Sequence, residues 1–255
     1  MVSTEHCVAV LNQKGGVGKT TVVLGLASAA AAASRAVLVV DMDPQSATSW
    51  ALGIDVGADQ PTTADVLDRT PLDAATVTSP WSPSIDVVPA TQRLQAHEDA
   101  KPGRLARALR RADLARYDAV LVDCPPSLGS LTVNALSAAR HALVVVEPSS
   151  LGLRGIGGVA EVVDSVWDAK NPDLELSGVI LNRVPSRSRE AARRTEELAR
   201  IVGRSVIWSP PIPQRVVISE AVGARRPIHG YGHRSAAASD AFDHLWSRLR
   251  HTVRP

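Results

Sequence analysis

The sequence predicts an α/β fold, a doubly wound and mainly parallel β-sheet with helices on both faces. Short β-branched runs alternate with helical stretches along nearly the whole chain, which is the pattern of repeated βαβ units. The runs are continuously apolar, as expected for parallel strands covered on both faces. No internal repeat or low-complexity linker divides the 255 residues. We therefore expect a single domain over residues 1–255, with ligands at the carboxyl ends of its strands.

The predicted elements follow in chain order. The strands are Cys7–Leu11, Val37–Asp41, Ile85–Val88, Ala119–Asp123, Leu143–Glu147, Val179–Asn182 and Val206–Trp208. Helices are expected near residues 20–33, 102–115, 130–139, 155–169 and 188–202, with a C-terminal helix near 235–250. The least regular part, residues 50–84, holds Gly, Pro and Thr and predicts a surface excursion.

Composition excludes several classes of protein. Hydrophobic residues make up 45% of the chain and charged residues 21%, which argues against disorder. No apolar run approaches the ~18 residues that a membrane-spanning helix needs. Residues 1–6 do not form a secretory signal, so a cytoplasmic location is expected. The only two cysteines, Cys7 and Cys124, exclude a disulfide framework or a four-thiolate metal site and are expected to be buried. His229 and His233 are interpreted as loop residues.

The net charge of +2 is unevenly distributed. Between Arg183 and Arg234 stand eleven arginines and four acidic residues, a net +7, so the remainder of the chain carries −5. This separation suggests a basic face for a polyanion. A solvated, arginine-rich surface is the alternative, and composition does not decide between them.

A glycine-rich loop follows the first predicted strand. Residues 12–21 read Asn-Gln-Lys-Gly-Gly-Val-Gly-Lys-Thr-Thr, which satisfies the Walker A pattern from Lys14 to Thr20 with lysine at the first position. Glycines let backbone N–H groups converge on phosphate oxygens, and the following helix adds its N-terminal dipole. Lys19 is expected to reach the β- and γ-phosphates of ATP, and Thr20 to ligate Mg²⁺. The predicted phosphate-site contacts are Lys14, Gly15, Gly16, Val17, Gly18, Lys19, Thr20 and Thr21. The fold is accordingly predicted to be that of a P-loop NTPase.

Two acidic elements follow in the expected order. Asp41-Met42-Asp43-Pro44-Gln45 ends the second strand and places carboxylates at the mouth of the site. The apolar run 119–122 ends in Asp123, a Walker B arrangement that predicts a magnesium-site residue.

These motifs resemble those of the deviant Walker A ATPases, which include ParA, MinD and the nitrogenase iron protein. Residues 14–21 carry the signature lysine, and residues 41–45 and 123–129 resemble the second and third motifs of ParA-type partition ATPases. No helix-turn-helix segment precedes the loop, so the chain resembles the short, chromosomal-like form. The resemblance implies that Lys14 acts with Lys19 in catalysis by reaching across an ATP-dependent homodimer. It also implies that Asp43 positions the attacking water, and that Thr20, Asp43 and Asp123 form the Mg²⁺ site. Asn182 would meet the adenine, which Pro211 and Pro213 would flank.

The resemblance also implies partners. ATP and Mg²⁺ would form a dimer that binds nucleoid DNA, and a ParB-type centromere-binding protein would stimulate weak intrinsic hydrolysis. The expected contacts with duplex DNA are Arg187, from the family pattern, and Arg189, Arg215, Arg225 and Arg226, from charge clustering. No aromatic residue accompanies these arginines for base stacking, so binding without sequence readout is expected. The chain departs from the family at Gln214 and Val217, where many relatives have arginine, and at Glu147-Pro148-Ser149-Ser150, which replaces a more common glutamine-containing stretch.

The sequence leaves three other functions to compare with this one. A membrane-cycling, MinD-like ATPase would use the apolar stripe Phe242, Leu245, Trp246 and Leu249 with Arg248, Arg250 and Arg254, although such a stripe more often packs in a core. A redox iron protein is rejected because its cluster-ligating pattern is absent around Cys7 and Cys124. An ATPase that positions a protein compartment or receptor array instead of DNA stays open.

Overall fold

The computed structural model describes residues 5–253. Its strands form one eight-stranded sheet in the order β3-β4-β2-β5-β1-β6-β7-β8. The strands are β1 Cys7–Leu11, β2 Val37–Asp41, β3 Val77–Thr78, β4 Ile85–Val88, β5 Ala119–Asp123, β6 His141–Val146, β7 Glu175–Leu181 and β8 Ile207–Trp208. Among these strands only the β3–β4 pair is antiparallel. The predicted mainly parallel α/β fold is confirmed.

Helices cover both faces of the sheet. They are α1 Lys19–Ala32, α2 Ala47–Ala51, α3 Thr63–Leu67, α4 Leu72–Ala75, α5 Arg104–Leu109, α6 Ser130–Ala138, α7 Ser150–Arg154, α8 Ile156–Ala169, α9 Arg189–Val202, α10 Val216–Gly223 and α11 Ala236–Thr252. One core lies beneath α3, α5, α6 and α8, and a second lies beneath α1, α10 and α11. The strands are apolar on both sides because each side faces one of these two cores.

Helix α11 packs directly on α1. Gly25 of α1 faces Phe242, and a Cβ at this glycine would lie 2.1 Å from the phenyl ring. Phe242, Leu245, Trp246 and Leu249 are all buried in the core. The apolar stripe of the C-terminal helix is therefore core packing and is not presented to a membrane. Within residues 5–253, no helix is long and apolar enough to span a bilayer.

The predicted boundaries were wrong in a few places. The helix expected at 102–115 ends at Leu109, and a turn follows in which the Ala115 N–H donates to Asp113. The excursion at 50–84 contains α3, α4 and β3, and α10 was not predicted. Among these, α3, α4 and β3 have two to five residues and are too short to show a helical or strand period. A capping box between Thr62 and Asp65 starts α3, and this Thr-x-x-Asp pattern is a signal in the sequence for a helix start.

Both cysteines are free and buried, as expected. Burial raises the pKa of the Cys7 thiol to about 12, and burial also raises that of Cys124. These thiols are therefore unreactive core residues. Residues 1–4, on which the cytoplasmic expectation partly rests, and Arg254 lie outside the described residues.

Candidate functional site

The glycine-rich loop between β1 and α1 is held in shape by its own chain. Asn12 donates its amide to the Val145 carbonyl at 2.6 Å and accepts the Lys14 N–H at 2.9 Å. Gly16 and Gly18 have φ of 78° and 94°, a region that residues with a Cβ rarely adopt. The loop backbone is therefore fixed by these bonds and by its glycines, and it lies at the start of a 14-residue helix, where N–H groups and the helix dipole favour an anion.

Lys19 is the first residue of α1, and its side chain is buried. Its exposed fraction is 7%, and burial lowers its pKa, while Asp123, Cys124 and Asp43 act in the opposite direction. An ammonium group in this position is stabilised by the neighbouring carboxylates and would gain further from a bound phosphate. The structure thus brings Lys19 to the two acids that the sequence placed in the site.

Asp123 has a free position for a cation. Its Oδ2 accepts the Thr20 hydroxyl at 2.7 Å and also the Thr48 hydroxyl, whereas its buried Oδ1 has no hydrogen-bond partner among residues 5–253. Burial raises the pKa of Asp123 to about 6, against the effect of these hydrogen bonds. A buried carboxylate oxygen without a partner is costly, and a divalent cation that prefers oxygen ligands would satisfy it. The residues present fit Mg²⁺.

Thr48 was missed by the sequence reasoning. It lies on α2, a five-residue helix directly after the 41–45 motif, and periodicity does not reveal so short an element. Its position three residues after the 41–45 motif is the one feature of the sequence that indicates Thr48 could lie near the site.

Asp41 organises the loop that carries Asp43. The Ser49 N–H and hydroxyl donate to Asp41 Oδ2 at 2.9 and 2.7 Å, and the Asp43 N–H donates to Oδ1 at 3.0 Å. Burial, and then repulsion by Asp123, raises the pKa of Asp41 to about 7. Asp43 is half-buried, and its Oδ1 accepts the Gln45 N–H at 2.9 Å. Asp41 is therefore a scaffold residue, and Asp43 is the more exposed acid at the mouth.

The signature lysine forms an ion pair with the residue that departs from the family pattern. Lys14 Nζ lies 4.0 Å from Glu147 Oε2 at the end of β6, and each side chain is about one third exposed. Lys14 is thus accessible at the mouth of the site.

Asn182 contacts the phosphate loop, and its expected contact with adenine stays a prediction. It is 1% exposed, and its Nδ2 donates to the Val17 carbonyl of the loop at 2.8 Å. The amide also lies where a Cβ on Gly18 would stand, at 2.0 Å. Asn182 therefore braces the phosphate loop.

A cavity of about 270 Å³ lies beside the loop, next to Asn182. It has room for a nucleoside and joins the start of α1 to the segment before α10. It is lined by Thr21, Glu147, Asn182, Arg183, Pro213, Gln214, Arg215, Val216, Ile218 and Ser219. Pro213 is in this lining, whereas Pro211 is exposed and not part of it, and the expected contacts of both with adenine stay predictions.

The five predicted DNA-contact arginines do not form one cluster. Arg187 and Arg189 line an open concavity of about 630 Å³ at the N-terminus of α9, and Arg215 lines the cavity beside the loop. Arg226 is exposed, with its guanidinium 5.6 Å from the Tyr231 ring centroid. Arg225 forms an ion pair with Asp55 and stacks on Trp50, so its guanidinium is engaged within the protein.

The braced glycine loop, the buried Lys19 and the oxygen site at Asp123 define a P-loop nucleotide-binding protein. A family model described as an AAA domain matches residues 5–176. The sporulation initiation inhibitor protein Soj of Bacillus subtilis is 34% identical over 244 residues, covering 92% of this chain and 95% of that protein. The chromosome partitioning protein ParA of Myxococcus xanthus is 35% identical over 238 residues, covering 89% and 82%. This chain belongs to the ParA/Soj family of P-loop ATPases.

A solved structure supports the same fold. Cobyrinic acid a,c-diamide synthase from Mycobacterium smegmatis, with a bound ATP analog and magnesium, is 30% identical with a TM-score of 0.80. The match covers 96% of this chain and 95% of that one. The expected cofactors, ATP and Mg²⁺, agree with what that protein holds.

Proposed function

We propose that this protein is an ATP-dependent dimerising switch ATPase that binds DNA without sequence preference and positions a chromosome or plasmid. The observation that carries the proposal is the buried Oδ1 of Asp123, which lies beside Thr20 and Lys19 and has no hydrogen-bond partner within residues 5–253. This arrangement fits a magnesium-bound triphosphate at the loop.

The residues of the chain have separable tasks. Lys19 binds the β- and γ-phosphates, and the glycine-loop N–H groups bind phosphate oxygens. Thr20 and Asp123 hold Mg²⁺, which when bound neutralises charge on the phosphates. Asp43, the more exposed acid at the mouth, orients the attacking water by accepting its hydrogen bond.

Dimerisation depends on Lys14. Its ammonium is accessible and paired only at 4.0 Å with Glu147, so it is free to exchange this carboxylate for the phosphates of a partner subunit. An exposed pair of this kind contributes little stability, about 0–1 kcal/mol, and is easily given up. ATP binding and dimerisation would then be one event.

DNA binding is supported by the concavity at the start of α9. Arg187 and Arg189 are exposed, and neither has an ion-pair partner within the part of the chain that the structure describes. The N-terminus of the 14-residue helix adds its partial positive charge. Arginine forks and a helix N-terminus bind backbone phosphate without reading sequence.

The nucleotide and DNA regions share one short segment. Asn182 braces the phosphate loop, Arg183 lines the adjoining cavity, and Arg187 and Arg189 follow within seven residues. Changes at the nucleotide can therefore reach the DNA concavity along the backbone. This supports an ATP requirement for DNA binding.

A ParB-type DNA-binding protein is proposed as the partner that stimulates slow hydrolysis, and the location as cytoplasmic and nucleoid-associated. These assignments follow the Soj and ParA relatives, which are more similar in sequence than the named synthase. Positioning of another cargo would use the same cycle.

The test is retention of a random-sequence DNA duplex with ATP, ADP and no nucleotide, each with Mg²⁺. We expect the protein to be retained on DNA in the ATP condition and not in the ADP or nucleotide-free condition. Equal retention in all three conditions, or none in any, would contradict the proposal.

A further inference from the structure

The five-residue helix α2 lies between the buried acids and the protein surface. It begins after Ser46, whose φ is 52°, and no side chain caps its N-terminus. A helix of this length is not stable by itself, because the cost of nucleation exceeds the gain from one turn. The position of α2 is therefore set by its contacts with the rest of the protein.

Two consecutive residues of α2 contact the acids of the site. The Thr48 hydroxyl donates to Asp123 Oδ2, and Ser49 donates its N–H and hydroxyl to Asp41 Oδ2. Asp41 in turn fixes the backbone of Asp43. A displacement of α2 would thus move the groups proposed to hold Mg²⁺ and the attacking water.

The next residue, Trp50, is held by Arg225, which follows α10 in the chain. The Arg225 Nε donates to the Trp50 carbonyl at 2.8 Å, and the guanidinium lies 5.5 Å from the indole centroid. The Nη2 and Nη1 groups donate to the two oxygens of Asp55 at 2.8 and 3.3 Å. One guanidinium therefore binds both Trp50, near the end of α2, and Asp55, which follows the helix.

The backbone of Arg225 is itself anchored. Its φ is 53°, a conformation uncommon for residues with a Cβ, and its N–H donates to the Val222 carbonyl at the end of α10. Its carbonyl accepts the Trp81 indole N–H at 2.8 Å. The side chain is thus attached to a fixed point on a different element from α2.

We propose that Arg225 is a positioning residue for ATP hydrolysis. It holds α2 so that Thr48 and Ser49 set the geometry of Asp123 and of the Asp41–Asp43 loop. This rests on the proposed ATPase function, and it gives Arg225 a role within the protein in place of the DNA contact expected from charge clustering.

The test compares Arg225→Ala and Arg225→Lys with a matched control, Arg248→Ala. Arg248 also stacks on an indole, 4.9 Å from the Trp208 centroid, and donates to a backbone carbonyl at 3.2 Å, but it does not contact α2. Steady-state hydrolysis is measured with Mg²⁺ and without DNA, partner or lipid. A DNA-contact role would leave this rate unchanged.

In Arg225→Ala, kcat is expected to fall about 10-fold, as for loss of groups that orient metal-site ligands. KM for ATP should stay within about twofold, because Lys19 and the glycine loop are untouched. Arg225→Lys should recover part of the rate, since an ammonium can still donate to the Trp50 carbonyl. Arg248→Ala should match the unsubstituted protein.

Amide hydrogen exchange of residues 46–54 gives a readout that does not depend on activity. In the nucleotide-free protein these amides should exchange faster in Arg225→Ala and at the unsubstituted rate in Arg248→Ala. Unchanged exchange in Arg225→Ala, or a changed KM with unchanged kcat, would overturn the positioning role while hydrolysis by the unsubstituted protein stands. If the unsubstituted protein hydrolyses no ATP, the proposed function itself fails, and the positioning role fails with it.

Discussion

Asn182 donates its side-chain amide to the Val17 carbonyl at 2.8 Å, so the end of β7 braces the phosphate loop. The close approach is possible because residue 18 is glycine, with φ of 94° and no Cβ in the way of the amide. The loop geometry therefore depends on Gly18 and Asn182, which lie 164 positions apart in the chain.

Gly18→Ala is expected to abolish ATP binding while the protein stays folded. A methyl group at this position would lie 2.0 Å from the Asn182 amide on a backbone that alanine rarely adopts. Isothermal titration with Mg-ATP measures the loss, and circular dichroism confirms the fold. Gly103→Ala, whose φ of 85° imposes the same backbone cost in open space away from the loop, is the matched control. ATP affinity in Gly18→Ala equal to that of Gly103→Ala would contradict the brace.

The two lysines of the loop should separate binding from dimerisation. Lys19→Ala removes the buried ammonium and should abolish ATP affinity. Lys14→Ala removes an accessible ammonium and should leave ATP binding by the monomer within about 10-fold, while it prevents the dimer. Titration calorimetry and sedimentation velocity with ATP give both quantities. A dimer formed by Lys14→Ala would remove the proposed cross-subunit role.

Asp43→Ala should bind ATP and dimerise but fail to turn over. Loss of a group that positions the attacking water typically costs about 10²–10⁴-fold in rate. The ATP-bound dimer would then accumulate on DNA, which DNA retention followed over time detects. Asp43→Asn, which keeps the volume, serves as the control for packing. Hydrolysis by Asp43→Ala at the unsubstituted rate would assign the water to another residue.

Arg187→Ala and Arg189→Ala should each weaken DNA binding in a salt-dependent way. Each lost phosphate contact should reduce the slope of log affinity against log salt by about 0.9. Arg193→Ala is the matched control, because Arg193 lies on α9, as Arg189 does, but is paired with Glu190. Salt slopes that are equal in all three variants and the unsubstituted protein would place the DNA surface elsewhere.

Gly25→Ala should destabilise the fold by forcing α1 from α11. The added methyl group would overlap the Phe242 ring, and overpacking of this kind typically costs about 1–3 kcal/mol. Thermal unfolding measures the change. Gly157→Ala, within α8 and with no atom near its Cβ, should instead be neutral or stabilising. An unchanged melting temperature in Gly25→Ala would contradict the described contact.

Much of the site could be predicted because its chemistry is local in sequence. Lys14 to Thr21 is one uninterrupted motif, and Asp123 ends an apolar strand, so both could be located without a structure. Strand positions near the centre of the sheet were predicted well for the same reason, since burial on both faces leaves a continuous apolar run.

The remaining features depend on long-range contacts. Thr48 meets Asp123 across 75 residues, and Arg225 meets Trp50 across 175. No rule of sequence spacing predicts either contact, and α2 is too short to show a helical period. Charge clustering grouped Arg225 with Arg189, Arg215 and Arg226 because it counts residues along the chain. It does not detect Asp55, the carboxylate that pairs with Arg225 in the folded protein.

Molar mass measured by light scattering at increasing ATP concentration, with Mg²⁺, shows whether ATP drives dimerisation. We expect a mass of 26.9 kDa without nucleotide or with ADP, and a mass twice as large once ATP saturates the site. A mass that stays at the monomer value at saturating ATP would contradict the proposed function, because its cycle begins with an ATP-dependent dimer.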